Sequence, residues 1–172
     1  MTAQVHALAP TRARLTPRHT PSAAMASHAF WAAPCEVGGP SSSAAFAALL
    51  SAYRESGGTA RAGDLARLLA DRVQADSLGV YQHVDHGDLF GFPWRGTLWI
   101  PMFQFDLDDL SIVPAVRQVL SQLSDAFDAW DLATWFAQSN AWLDGRRPAD
   151  QIRTQLTQVL DAARADHFIA AG

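Results

Sequence analysis

Residues 130–150 read Trp130-Asp131-Leu132-Ala133-Thr134-Trp135-Phe136-Ala137-Gln138-Ser139-Asn140-Ala141-Trp142-Leu143-Asp144-Gly145-Arg146-Arg147-Pro148-Ala149-Asp150. The first part predicts a helix over 129–138, because Trp130, Leu132, Ala133, Trp135 and Phe136 recur at helical spacing. Ser139-Asn140 closes it. Asn140 suits a helix end, since its amide both donates and accepts and it tolerates left-handed dihedrals. Residues 142–147 predict a compact loop in which Gly145 supplies a turn that a Cβ would obstruct. Pro148 then pre-sets the first-turn dihedral of a new element, and Asp150 complements its positive end. That element is expected to continue to about Phe168, with Ile152, Leu156, Val159, Leu160 and Ala163 along one face.

Upstream, Val116, Val119, Leu120 and Leu123 form a second helical stripe, with Pro114 in the first turn. The preceding run Asp106-Leu107-Asp108-Asp109 lacks the glycine and distal glutamate of a calcium loop and reads as a solvated linker. Residues 89–101 predict a small β-hairpin: aromatic and β-branched residues flank Arg95-Gly96, and Pro93 and Pro101 keep the strands short or at an edge. Before it, helices over 63–73 and about 77–86 are joined by Gln74-Ala75-Asp76, the outline of a helix-turn-helix. A first helix carries Phe46, Leu49, Leu50 and Tyr53 and ends at Gly57-Gly58. Residues 1–43, rich in Ala, Pro, Ser and Thr, show no sustained apolar period and are expected to be a disordered leader, with Met25 as an alternative start. The expected class is mainly α: a helix-turn-helix-like head with one short hairpin over 44–110, and a helical domain over 111–172.

Composition narrows the function. The chain has 172 residues, about half of them apolar, with 6 tryptophans and a net charge of −4. Residues 41–172 hold 10 Arg against 16 Asp and Glu, a net of −6, which makes the body a poor non-specific ligand for nucleic acid. Cys35 is the single cysteine, so no intramolecular disulfide forms, and the chain is expected to be cytoplasmic. No apolar run approaches the roughly 20 residues of a membrane span. His83 and His86 share a helix face, but no Cys or third His is spaced to complete a metal site. No Ser/His/Asp pattern, glycine-rich phosphate cradle or HExxH is present. Neither catalysis nor a metal is therefore expected.

The 130–150 run resembles the toxin-binding domain of Xre/MbcA/ParS-type antitoxins. There an aromatic-rich helix is followed by an Asn, a Leu, a Gly and a Pro-acid helix start, matched here by Trp135, Asn140, Leu143, Gly145, Pro148 and Asp150. Ser139 stands where the family carries a proline. Trp99-Ile100-Pro101-Met102-Phe103-Gln104-Phe105-Asp106 is similar to the family's linker, and the whole resemblance covers roughly residues 58–168. It implies a non-catalytic protein of a type II toxin–antitoxin pair, whose partner is a RES-domain, NAD-consuming toxin. It also implies oligomers, a homodimer among them. The toxin-binding residues so implied are Trp135, Asn140, Leu143, Gly145 and Pro148; the contacts themselves are expected from Trp142 as a partly exposed aromatic anchor, Arg146 and Arg147 beside it, and the exposed face of the last helix.

An alternative is a DNA-binding regulator acting through the 62–87 helix pair, with Arg72, Gln82, His83 and His86 as its outward groups. Asp76, Asp85 and Asp88 oppose it by repelling phosphate.

Overall fold

The computed structural model describes residues 42–72 and 79–172, Arg72 by its backbone alone. Residues 1–41, most of the expected leader, and residues 73–78, which include the expected turn Gln74-Ala75-Asp76, lie outside the described residues. The fold is mainly helical, with a small antiparallel sheet.

Helix α1, Ser43–Ala52, starts where the Ser42 hydroxyl accepts from the Ala45 amide at 3.2 Å, satisfying an orphan N–H of the first turn. Strand β1, Thr59–Arg61, leads directly into α2, Ala62–Arg72; α3 is short, Val80–Asp85. Strands β2, Phe92–Trp94, and β3, Thr97–Pro101, form the expected hairpin. Its turn residues Arg95 and Gly96 both have positive φ, 46° and 74°, the backbone sense that matches strand twist.

One hairpin was expected, but the sheet has three strands in the order β1-β3-β2. Thr59 pairs with Pro101 and Arg61 with Trp99. Three residues are too few to show an alternation, so β1 exists only because β3 offers it a free edge. Pro93 occupies the outer strand β2, where a missing ladder donor costs least.

Downstream come α4, Pro114–Leu123, and α5, Ala129–Ala137; α6, Pro148–Gln151, and α7, Leu156–Ala171, complete the chain. The single element expected from Pro148 to Phe168 is thus broken at residues 152–155. Arg153 turns out of this break to bond the Phe105 carbonyl and Asp106. Ile152 and Val159, both buried, keep a helical spacing across the break, so periodicity conceals it.

The two sheet faces bury different partners. Ala60, Leu98 and Ile100 pack with Ala62, Leu65, Val80, Leu89 and Phe105, seating α2 and α3. Phe92, Trp94 and Trp99 face the larger core, which joins Leu49, Tyr53, Phe90 and Phe103 to Val116, Leu123, Trp130, Phe136 and Val159. The residues on either side of position 110 therefore share one apolar interior.

Directional bonds register these layers. The Tyr53 hydroxyl donates to the Ala133 carbonyl at 2.6 Å, tying α1 to α5. Burial pushes the hydroxyl's pKa well above a tyrosine's usual range, so it stays a donor even in alkaline solution. Arg147 makes a second tie. Its Nη1 donates to the Ala52 carbonyl at 2.7 Å, its Nη2 meets Glu55 at 3.1 Å and its Nε meets Asp150 at 2.6 Å. The bond to Asp150 raises the guanidinium above its usual pKa. Arg147→Met keeps the stem and removes the cap on α1, so a loss of about 1–2 kcal/mol is expected in urea unfolding. A change within about 0.3 kcal/mol would show that these bonds merely replace bonds to water.

Candidate functional site

The site is built around the loop expected over 142–147. The Asn140 backbone carbonyl accepts from Leu143 and Gly145, its amide donates to the Arg146 carbonyl at 3.0 Å, and its side-chain oxygen accepts from the Trp142 amide at 2.8 Å. One residue therefore closes the whole turn. Asn140 itself is extended, at φ −111°, and the left-handed positions are Asp144 and Gly145, at 55° and 78°. A Cβ on Gly145 would meet nothing within 4 Å. Glycine is needed there for its dihedral, as expected: a Cβ would be obstructed by its own backbone at this φ, not by a neighbouring group.

The expected contact residues separate by environment. Trp135, Asn140, Leu143 and Pro148 are buried. Trp142 is 60 % exposed, the Arg146 side chain 50 %, and Gly145 lies at the surface between them. Arg146 reaches Gln151 at 3.2 Å and lies 4.0 Å from Asp144. Arg147 is committed to α1, so the expected pair of arginine contacts divides into one surface group and one structural tie.

Sequence reasoning missed the centre of this site, Asp166. Its Oδ2 accepts from Trp135 Nε1 at 2.8 Å and from Asn140 Nδ2 at 2.6 Å, and its Oδ1 accepts from Trp142 Nε1 at 3.2 Å. Three side chains, one from α5 and two from the loop, thus meet on one half-buried carboxylate of α7. The signal was present: Val159, Ala162, Ala163 and Asp166 share the buried face of α7 at helical spacing, so an acid sits on an apolar stripe. Beyond it, Phe168 and Ile169 leave apolar surface exposed near the end of α7.

This arrangement fits binding. A tryptophan held by its indole N–H has lost its rotamer freedom before any partner arrives, and it keeps most of its surface open. Nothing in the cluster pairs a nucleophile with a base. A cleft of about 480 Å³ lies elsewhere, lined in part by Glu55, Met102, Phe103, Asp150 and Arg153. The charged groups named are already paired, Glu55 and Asp150 with Arg147 and Arg153 with Asp106.

Of the groups expected to face DNA, the structure describes the side chains of Gln82, His83 and His86. Arg72's side chain lies outside the described residues. Gln82 accepts from the Gly79 amide at 3.0 Å and so starts α3. His83, expected to point outward, is half-buried and bonds Asp88 at 3.0 Å, and Asp88 also meets Arg117 at 3.2 Å. Asp88 draws the ring in because both would otherwise lose water unpaired. His86 is exposed. Among the described residues no three His, Cys, Asp or Glu side chains group as a metal site. No helix among them is long and apolar enough to cross a membrane.

Compared with protein-family models, curated proteins and solved structures, the chain matches none.

Proposed function

We propose that this chain is an antitoxin-type binding protein that neutralises a cognate toxin, of the RES-domain, NAD-consuming kind, by docking its 140–147 loop and the adjoining α7. The observation that carries the reading is Trp142, largely exposed yet anchored through its indole to Asp166. A fixed surface aromatic beside an arginine is the pattern of a binding hot spot. The chain supplies no catalytic group and no cofactor in this reading. It blocks the toxin's active site, and the toxin brings the nucleotide chemistry. Self-association as a dimer belongs to the same proposal, as does action in the cytoplasm.

Co-expression with a neighbouring toxin gene tests it, scored by growth rescue and co-purification. Trp142→Ala is expected to weaken the complex about 30-fold or more, the equivalent of ~2 kcal/mol, with the helical circular dichroism unchanged. Arg146→Glu is expected to weaken it in the same direction. Rescue by residues 1–110 alone would place the docking surface elsewhere.

A second reading, a DNA-binding regulator, is favoured by the order of elements. Helix, strand, two helices and a hairpin, with sheet order β1-β3-β2, is the plan of a winged helix-turn-helix. Charge opposes it: residues 42–110 carry 5 Arg against 9 Asp and Glu. Two of those arginines lie over tryptophan rings, Arg61 at 5.4 Å from Trp99 and Arg95 at 5.5 Å from Trp94. A gel shift on the gene's own promoter at physiological salt separates the readings, with tight, salt-sensitive binding favouring the regulator.

A further inference from the structure

We infer that Asp166 and the open face of Trp142 form a receptor for an arginine side chain of the docking partner. The inference rests on the reading of the 140–147 loop as the docking surface, and it names the chemistry that loop would take.

The half-buried Asp166 carboxylate is held by three neutral N–H donors, two on Oδ2 and one on Oδ1. Among the described residues no cation forms an ion pair with it. Arg164, on the same helix, goes to Asp161 at 2.9 Å, and Arg146 is engaged with Gln151. A carboxylate offers about four acceptor sites, so Oδ1 retains one after Trp142 has bonded. Neutral donors fix its position but leave its charge uncompensated, which a half-buried site penalises. Beside it stands an indole that is 60 % exposed.

A carboxylate at the N–H edge of an exposed indole suits a planar guanidinium, which stacks on the ring while reaching over its edge to donate to the oxygen. The chain itself places arginines on indoles at Trp94 and Trp99, whereas Trp142 has no such partner among the described residues. The net charge of −6 over residues 41–172 attracts a cationic partner over a longer range. Lysine lacks the flat fork and fits less well.

The test uses the full chain and a blocked Gly-Arg-Gly peptide, followed through the tryptophan indole N–H resonances, with Trp142→Phe assigning the Trp142 signal. Saturable shifts of the Trp142 and Trp135 indoles are expected, with at least about tenfold weaker binding for the citrulline peptide and for Asp166→Asn. Asp125→Asn, which removes an exposed charge that is no partner of the cluster, should bind like the unaltered chain. If Asp166→Asn fails to fold, Trp142→Ala takes its place, because it leaves Asp166 two of its donors; the arginine-dependent shift at Trp135 should then vanish. Equal shifts with arginine and citrulline, or in Asp166→Asn (or its replacement Trp142→Ala) and the unaltered chain, overturn the receptor. No toxin is needed, so the two ideas fail separately. A chain that binds the peptide but co-purifies with no toxin loses the proposed function alone. One that captures its toxin but ignores the peptide loses only the receptor.

Discussion

Replacing Phe136 with alanine is expected to cost about 3–5 kcal/mol of folding stability, the largest effect of any single truncation considered for this chain. Phe136 is fully buried on α5. Its ring stacks on Phe90 at 5.1 Å, lies 5.0 Å from Phe103 and meets Trp135 edge-on at 4.9 Å. Phe103 in turn stacks on Tyr53 at 5.8 Å. Removing one ring therefore opens a cavity where the chain before residue 110 meets the chain after it. These neighbours are large rings locked by one another, so they collapse poorly into the space. Urea unfolding followed by tryptophan fluorescence measures the loss. A single transition at lower urea is expected. Two separated transitions would show that the halves hold independent cores, and a loss under about 1.5 kcal/mol would mean that the site repacks.

The second large effect is expected at Gln104, which is fully buried in the 3₁₀ turn Met102–Gln104. Its side-chain oxygen accepts from the Phe90 amide at 2.9 Å, and its nitrogen donates to the carbonyls of Phe90 at 2.9 Å and Pro101 at 3.0 Å. One side chain thus pairs with the backbone of Phe90 as a strand neighbour would. Gln104→Met keeps the approximate volume but leaves three backbone groups without partners. Each orphaned group costs about 1–3 kcal/mol, and relaxation shares part of that, so a total of about 3–4 kcal/mol is expected. Hydrogen exchange at the Phe90 amide should accelerate more than exchange in α7, which lies away from the change. Uniform acceleration would instead point to a general loss of stability.

Much of the helical plan was legible because it is local. The α5 boundaries, the proline starts of α4 and α6 and the Arg95-Gly96 turn each depend on residues within a few positions of one another. What was not legible depended on distant partners. Strand β1 pairs with the edge of β3, and at the break before α7 Arg153 reaches the carbonyl of Phe105. Gln104 sat in a stretch read as a linker, and only the fold reveals that Phe90 lies opposite it.

The candidate site divides in the same way. Asn140, Gly145 and Pro148 announced a turn from sequence, since their dihedral and hydrogen-bond preferences belong to the residue and its nearest neighbours. Which of the loop's side chains faces outward was not announced. Trp135 and Trp142 are the same residue type seven positions apart; one is buried on α5 and the other exposed, and both donate to Asp166. Arg146 and Arg147 are adjacent, yet one is open and the other caps α1. By itself the sequence determined a mainly helical chain, an acidic body and a loop of defined turn chemistry between two helices. Tertiary structure alone decided that this loop presents Trp142 on a carboxylate from 24 residues downstream, because exposure and hydrogen-bond partnership are set by which distant segments share a core.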